Sequence, residues 1–148
     1  MTSGSATRLL VNDRADIAAG VGADGVHLTT RSIDAAAIRE TFGDEFLIGV
    51  STHSFDEAVA ARDGGADFVV FGPIFATTSK EQYGAPVGVE ELSRAAHALD
   101  PFPVIGLGGI TAANAQSCLN AGASGVAGIS IFGDHEALAS VIDAIKRG

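Results

Sequence analysis

One cysteine, Cys118, stands in the whole chain of 148 residues, which excludes an internal disulfide framework and a cysteine-rich metal site. Basic residues are also scarce: 9 lysines and arginines face 18 aspartates and glutamates, a formal net charge of −9. An acidic surface repels a phosphodiester backbone, so nucleic acid is not expected as a partner. No apolar run approaches the length of a membrane span, and no charged-then-apolar leader precedes a small-residue cleavage site. A membrane partner is therefore not expected, and a cytoplasmic location is. Charge altogether is sparse, at 18% of residues against 47% hydrophobic, which excludes a disordered chain and leaves enough apolar material for one domain with a real core.

What is present is one motif repeated. Short apolar runs occur at "RLLV" (8–11), "GVHL" (25–28), "FLIGVS" (46–51), "FVVFGPI" (68–74), "PVIGLGGI" (103–110) and "GVAGISI" (125–131). They are continuous rather than alternating, which predicts parallel strands covered on both faces. Helical segments lie between them: "SIDAAAIRETFG" with Ser32 as cap and Gly43 as stop, "SFDEAVAARDGG" with Ser54 and Glu57 as a capping box, "TAANAQSCLNAG" from Thr111, and "DHEALASVIDAIKRG" from Asp134. Three related pentapeptides, "GADGV" (22–26), "GADFV" (65–69) and "GASGV" (122–126), each join a helix end to a strand start. A glycine there can take the left-handed conformation that closes a helix. Six βα units with short joins and right-handed crossovers fit either an open doubly wound sheet or a (β/α) barrel.

In both architectures ligands meet the C-terminal ends of the strands. Those ends read "NDR" (12–14), "TTRS" (29–32), "STHS" (51–54), "GPIFATTSK" (72–80), "GLGGIT" (106–111) and "ISIFGD" (129–134). Hydroxyls, glycines and one histidine dominate, which suits a phosphate. Read blandly, the same residues are a turn at Asn12 and Asp13, a solvated loop through Thr77, Ser79 and Lys80, and an ordinary glycine turn at Gly108 and Gly109.

Taken together, "LLVNDRADIA", "GADGVHL", "IGVSTHS", "GADFVVFGPIFATTSK", "GLGGIT" and "GASGVAGIS" resemble the thiamin phosphate synthase and TenI family, in the family's order and spacing from residue 8 to about 132. The resemblance implies a TIM-barrel-type (β/α)8 fold of which these six units are the third to eighth. Residues 8–148 would form a partial barrel domain, and residues 1–7, "MTSGSAT", a linker or tag-like start. It implies the joining of hydroxymethylpyrimidine diphosphate to a thiazole phosphate with release of pyrophosphate, so the partners would be small phosphorylated thiazole and pyrimidine substrates. By the same resemblance Asp13 would help hold Mg²⁺ at the diphosphate, beside Asn12, and Lys80 would meet the diphosphate. Thr77, Ser79, Gly108, Gly109, Ile129 and Ser130 would form the cup for the thiazole phosphate.

The chain departs from the synthase pattern at Ser32, which stands where a second Mg²⁺-binding aspartate is usual; a neutral hydroxyl is a poorer ligand than a carboxylate. The stretch "TTRS" resembles the TenI-like branch, whose thiazole tautomerase activity would use His53 as acid and base. Synthases match His53 as well. The alternatives are therefore a synthase, a TenI-like isomerase, or a non-catalytic phosphate-binding barrel fragment. His27 reads as a packed or sheet-facing strand residue, His97 and His135 as exposed helix residues, and Cys118 as a small buried helix residue. A six-stranded portion of a barrel exposes edges and faces, which predicts a homo-oligomer.

Overall fold

The computed structural model describes residues 4–29, 31–77, 85–133 and 138–147, with the side chains of 144, 146 and 147 left aside. Six strands form one sheet: β1 (Leu10–Asn12), β2 (Gly25–Leu28), β3 (Leu47–Thr52), β4 (Phe68–Phe71), β5 (Val104–Leu107) and β6 (Gly125–Ala127). Between and after them run α1 (Ala15–Gly20), α2 (Ala35–Phe42), α3 (Phe55–Asp63), α4 (Gly88–Leu99), α5 (Ala115–Asn120), α6 (Ser130–Gly133) and α7 (Leu138–Arg147). The strand order is β1-β2-β3-β4-β5-β6 and every pairing is parallel. A doubly wound sheet reverses its order at a switch point, whereas a barrel wall adds each strand beside the last. The order here never reverses, so the sheet is an open portion of a barrel wall.

Register divides the side chains between two faces, because paired residues of parallel strands point the same way. Val26 and Ile48 share one face with Leu28, Val69, Phe71 and Val104, all at most 2% exposed. The helices pack on this face, largely through small residues such as Ala15, Ala58, Ala95 and Cys118, with Leu92 and Ile38 filling the gaps. The opposite face carries Leu10, His27, Ser51, Phe68, Ile105 and Leu107, all only half-buried. The expectation of a sheet covered on both faces therefore holds for one face only.

Each of the three pentapeptide joins is built alike. Gly22, Gly65 and Gly122 have φ of 68°, 87° and 95°, and the residue after each donates its N–H five residues back to close the helix: Ala23 to Ala18 O (2.9 Å), Ala66 to Ala61 O (3.0 Å) and Ala123 to Cys118 O (3.1 Å). The next N–H in each copy, from Asp24, Asp67 and Ser124, joins the neighbouring strand at Leu9 O, Ile48 O and Val104 O. In two copies the aspartate side chain also accepts a strand N–H: Asp24 from Leu9 (2.7 Å) and Asp67 from Ile48 (2.6 Å). Arg39 then binds Asp67 (2.7 Å) and the carbonyls of Gly43, Phe46 and Gly65.

Several helix starts differ from the sequence expectation. Ser32 does not cap α2: the helix begins three residues later, and Asp34 accepts the Ala36 N–H (2.9 Å). The Thr111 segment first makes a turn, closed by the Thr111 N–H onto Asn114 Oδ1 (2.7 Å), and α5 starts only at Ala115. Ser54 caps α3 as expected, accepting from Glu57 N–H (3.2 Å), but Glu57 reaches back to His53 N–H (2.6 Å) rather than to the cap itself. The sixth strand stops at Ala127, because 130–133 turn into α6. Asp134 and His135 lie outside the described residues. Among the described residues no helix is long and apolar enough to cross a membrane.

Asp67→Ala strands the Ile48 N–H and removes the charge partner of Arg39, which keeps its three carbonyl acceptors, and should lower stability by about 1–3 kcal/mol. Asp16→Ala removes an ion pair with Arg14 that stands in solvent (2.6 Å) and should leave stability nearly unchanged. Urea midpoints of the two variants measure the contrast.

Candidate functional site

Six parallel strands place their C-terminal ends on one rim. At the first, Asp13 takes φ 60°, a left-handed conformation that aspartate tolerates better than most side chains. The turn is held by Asp13 N–H onto His27 O (2.9 Å) and Arg14 N–H onto Asn12 O (2.7 Å). After β2 a second turn, with Ser32 N–H on Thr29 O (3.1 Å) and Thr29 N–H on Ser32 Oγ (2.7 Å), brings the Ser32 hydroxyl back to donate to Asp13 Oδ1. Ser32 thus serves the rim instead of the helix. Arg14, next to Asp13, is engaged with Asp16.

Below Asp13, on the half-buried face, Asn12, His27 and Gly49 stand side by side in register. The His27 Nε2 and Ser51 Oγ are 2.9 Å apart, and the ring is tilted against Phe68 with centroids 6.3 Å apart. A Cβ at Gly49 would come within 2.8 Å of His27 Nδ1 and 2.3 Å of the Phe68 ring, so the two rings hold their places only beside a glycine. His27 is sheet-facing as expected, but it is part of a polar pair beneath the rim. The sequence could not have supplied Ser51 as its partner without the strand register. Burial pushes the His27 imidazole below its ordinary value, with the Asp13 charge pulling the other way.

His53, after β3, is tied separately. Its Nδ1 lies 2.6 Å from Gly72 O. A carbonyl only accepts, so Nδ1 carries the hydrogen and Nε2 is left as the basic nitrogen. The residue lines a cleft of about 290 Å³ between α3 and α4 with Phe55, Asp56, Glu91 and Arg94, rather than sharing a hydrogen bond with Asp13 or His27.

The exits of β4 and β5 continue pairing past the strands, through Ile74 N–H onto Leu107 O (2.8 Å) and Phe75 N–H onto Gly108 O (3.0 Å). This packing accounts for the two glycines. A Cβ at Gly108 would lie 2.6 Å from Pro73, one at Gly109 2.6 Å from Ala76 O, and both residues have positive φ (99° and 63°). Thr77 is half-buried at the end of this segment, while Ser79 and Lys80 lie outside the described residues. At the last strand end Ile129 is 92% exposed and Ser130 opens α6. Away from the rim, burial raises the Cys118 thiol, and His97 is exposed with Nδ1 donating to Ser93 O (2.8 Å). Among the described residues no three histidine, cysteine or acidic side chains converge as a metal cluster.

An open portion of a (β/α) barrel with a polar rim at its strand ends defines the class, and comparison with known proteins narrows it. The model of the thiamine monophosphate synthase family matches residues 1–132. A relative from Geobacter sulfurreducens is 49% identical over 130 residues, covering 88% of this chain and 61% of its own. A thiamine-phosphate synthase of a Roseiflexus species is 41% identical over 148 residues, covering 98% of this chain and 62% of its own. The solved thiamine phosphate pyrophosphorylase of Pyrococcus furiosus superposes with a TM-score of 0.84 at 28% identity, over 99% of this chain and 69% of that one. The chain belongs to the thiamine monophosphate synthase family. It spans about three-fifths of the length of these curated relatives.

The lowered His27 value has a definite sign. The unfolded chain takes up a proton at this residue near its ordinary value of roughly 6.5, while the folded chain resists it. The stabilisation is fully present above that value and is lost as pH falls toward the folded one. The urea midpoint should therefore fall between about pH 7.5 and about pH 5.5, and fall less in His27→Gln. An equal fall in both proteins would show that His27 is not the group responsible.

Proposed function

We infer that the chain carries the strand-end machinery of a thiamin phosphate synthase, joining hydroxymethylpyrimidine diphosphate to a thiazole phosphate with loss of pyrophosphate. Membership of the family is the observation that carries this reading, and the names of the relatives favour it over a tautomerase. Residues 8–148 are read as one barrel-type unit, with 1–7 as a linker, acting in the cytoplasm.

When the pyrimidine diphosphate ionises, the electron pair of the breaking C–O bond leaves with the diphosphate, so its growing charge must be held. Lys80 and Asn12 are assigned to that leaving group, and Asp13 to Mg²⁺. The residues fit the metal as a one-carboxylate site: Asp13 is exposed, its neighbour Arg14 is occupied by Asp16, and Ser32 contributes a hydroxyl beside it. Bound Mg²⁺ would supply neutralisation of the diphosphate charge. His27 and Ser51, one step below on the same face, offer a neutral imidazole and a hydroxyl to a polar heterocycle. Thr77 and Ser79, with the turns at Gly108 and Gly109 and the segment Ile129–Ser130, are assigned to the thiazole phosphate. His53 keeps Nε2 as a base for proton transfer during that chemistry.

The half-buried face and the outer edges of β1 and β6 call for a cover, and we assign that role to a second copy of the chain. Light scattering at micromolar concentration should give a dimer or larger species; a clean monomer would count against it.

Isothermal calorimetry with thiazole phosphate reads the binding half of the proposal. Thr77→Ala should weaken binding about tenfold, the loss of one hydrogen bond to a charged group. A folded sample that binds no phosphate sinks the reading. Direct assay of thiamin phosphate at saturating Mg²⁺ reads the catalytic half. Ser32 in place of the second carboxylate removes a charged contact worth on the order of 2–4 kcal/mol, so these 148 residues alone should turn over orders of magnitude more slowly than a full-length relative, and Lys80→Ala more slowly still.

A further inference from the structure

His53 follows the last residue of β3 and precedes the cap of α3, so its backbone turns the corner from strand to helix. The peptide plane joining Thr52 to His53 is held from both sides. Thr52 O accepts the Gly72 N–H (3.0 Å), and the His53 N–H donates to Glu57 Oε2 (2.6 Å). A peptide unit is rigid, so two bonds on one plane fix the point where the His53 side chain leaves the backbone. The imidazole then returns to the same glycine, with Nδ1 donating to Gly72 O (2.6 Å). Gly72 has little room to move. A Cβ there would lie 2.1 Å from Leu107 O, and the next carbonyl, of Pro73, accepts the Val87 N–H (2.8 Å).

Glu57 is out of place for an ordinary cap. In a capping box the side chain three residues into the helix bonds the N–H of the cap residue, here Ser54; Glu57 passes over it to the residue before. That residue carries an unusual proton. A neutral imidazole free in water favours hydrogen on Nε2, whereas His53 holds it on Nδ1. The Gly72 carbonyl selects the rarer form, and can do so only while His53 keeps its place beside it. We propose that Glu57 is a positioning residue for His53, holding the imidazole in the Nδ1–H form with Nε2 free to take up a proton. The catalytic meaning of this rests on the reading of His53 as the base of the proposed reaction. A carboxylate suits the task, because its bond to an N–H is charge-assisted and the first turn of a helix favours negative charge. Glu57 acts through the histidine, not on the substrate.

The test is the nitrogen NMR spectrum of the histidine rings in the labelled chain at about pH 8.5, where imidazoles are neutral. His53→Gln identifies the His53 signals. The parent chain should show the Nδ1–H form, and Glu57→Ala should lower the ratio of Nδ1–H to Nε2–H about fivefold, the size of one ordinary hydrogen bond. Glu57→Gln, whose amide oxygen can accept the same N–H, should restore the parent ratio. Ser54→Ala removes the cap but not the bond to His53; it should lower the melting temperature and keep the Nδ1–H form. In the thiamin phosphate assay Glu57→Ala should lower kcat about fivefold and leave the KM for thiazole phosphate unchanged. A parent-like ratio in Glu57→Ala overturns the proposal, and so does an equal loss in Ser54→Ala, which would make Glu57 a helix cap and nothing more. Loss of the Nδ1–H form in Glu57→Ala with kcat unchanged would support the positioning role and remove His53 as the base.

Discussion

The sheet depends on how each helix hands the chain to the next strand. Three times a left-handed glycine closes the helix, the following small residue bonds five residues back, and the next N–H enters the ladder of the neighbouring strand. This leaves no freedom of register: in all three copies the strand begins three residues after the glycine. A one-residue slip would send His27 and Ser51 into the helix layer and Val26, Leu28 and Ile48 to the open face, at several kcal/mol for each misplaced large side chain. The geometry of the rim, one long segment away, is inherited from these joins.

Strand number was legible because apolar runs and glycine joins are local signals. Strand order was not, since six βα units fit a doubly wound sheet as well as a barrel wall and only the family resemblance implied the barrel. Helix ends were legible in part. Ser32 looks like a cap in one dimension because a hydroxyl precedes an alanine run, but Asp13 from a different unit competes for it and wins. The open face was hidden for a different reason. Phe68, Val70, Ile105 and Leu107 are as apolar as the residues behind them, so the strands read as continuous runs whether one face is covered or two. Asp13 as a rim residue could be named from its motif. The His27–Ser51 pair could not, because it joins residues of two strands through register alone.

The electrostatics of the rim run against the chain as a whole. A net charge of −9 disfavours phosphorylated ligands at a distance, so any anion held here must be held by short-range donors. Of the cations near the described rim, Arg14 is engaged by Asp16 and Arg31 stands exposed in the turn after β2, whereas Arg39 is tied to Asp67 at the opposite end of the strands. That places the burden on hydroxyls, backbone N–H groups, Arg31 and the lysine that the sequence places after Ser79.

The pairing of the β4 and β5 exits has a mechanical side. Because Ile74 bonds to Leu107 and Phe75 to Gly108, and because Pro73 and Ala76 fill the space above the two glycines, the two exits behave as one stiff plate rather than two loops. Asn114 extends that plate to the start of α5 by donating to Gly109 O (3.0 Å). Displacement of Thr77 relative to the glycine turn therefore has to be absorbed in the backbone beyond Phe75. The plate itself is a fixed reference against which a ligand on that side of the rim is measured.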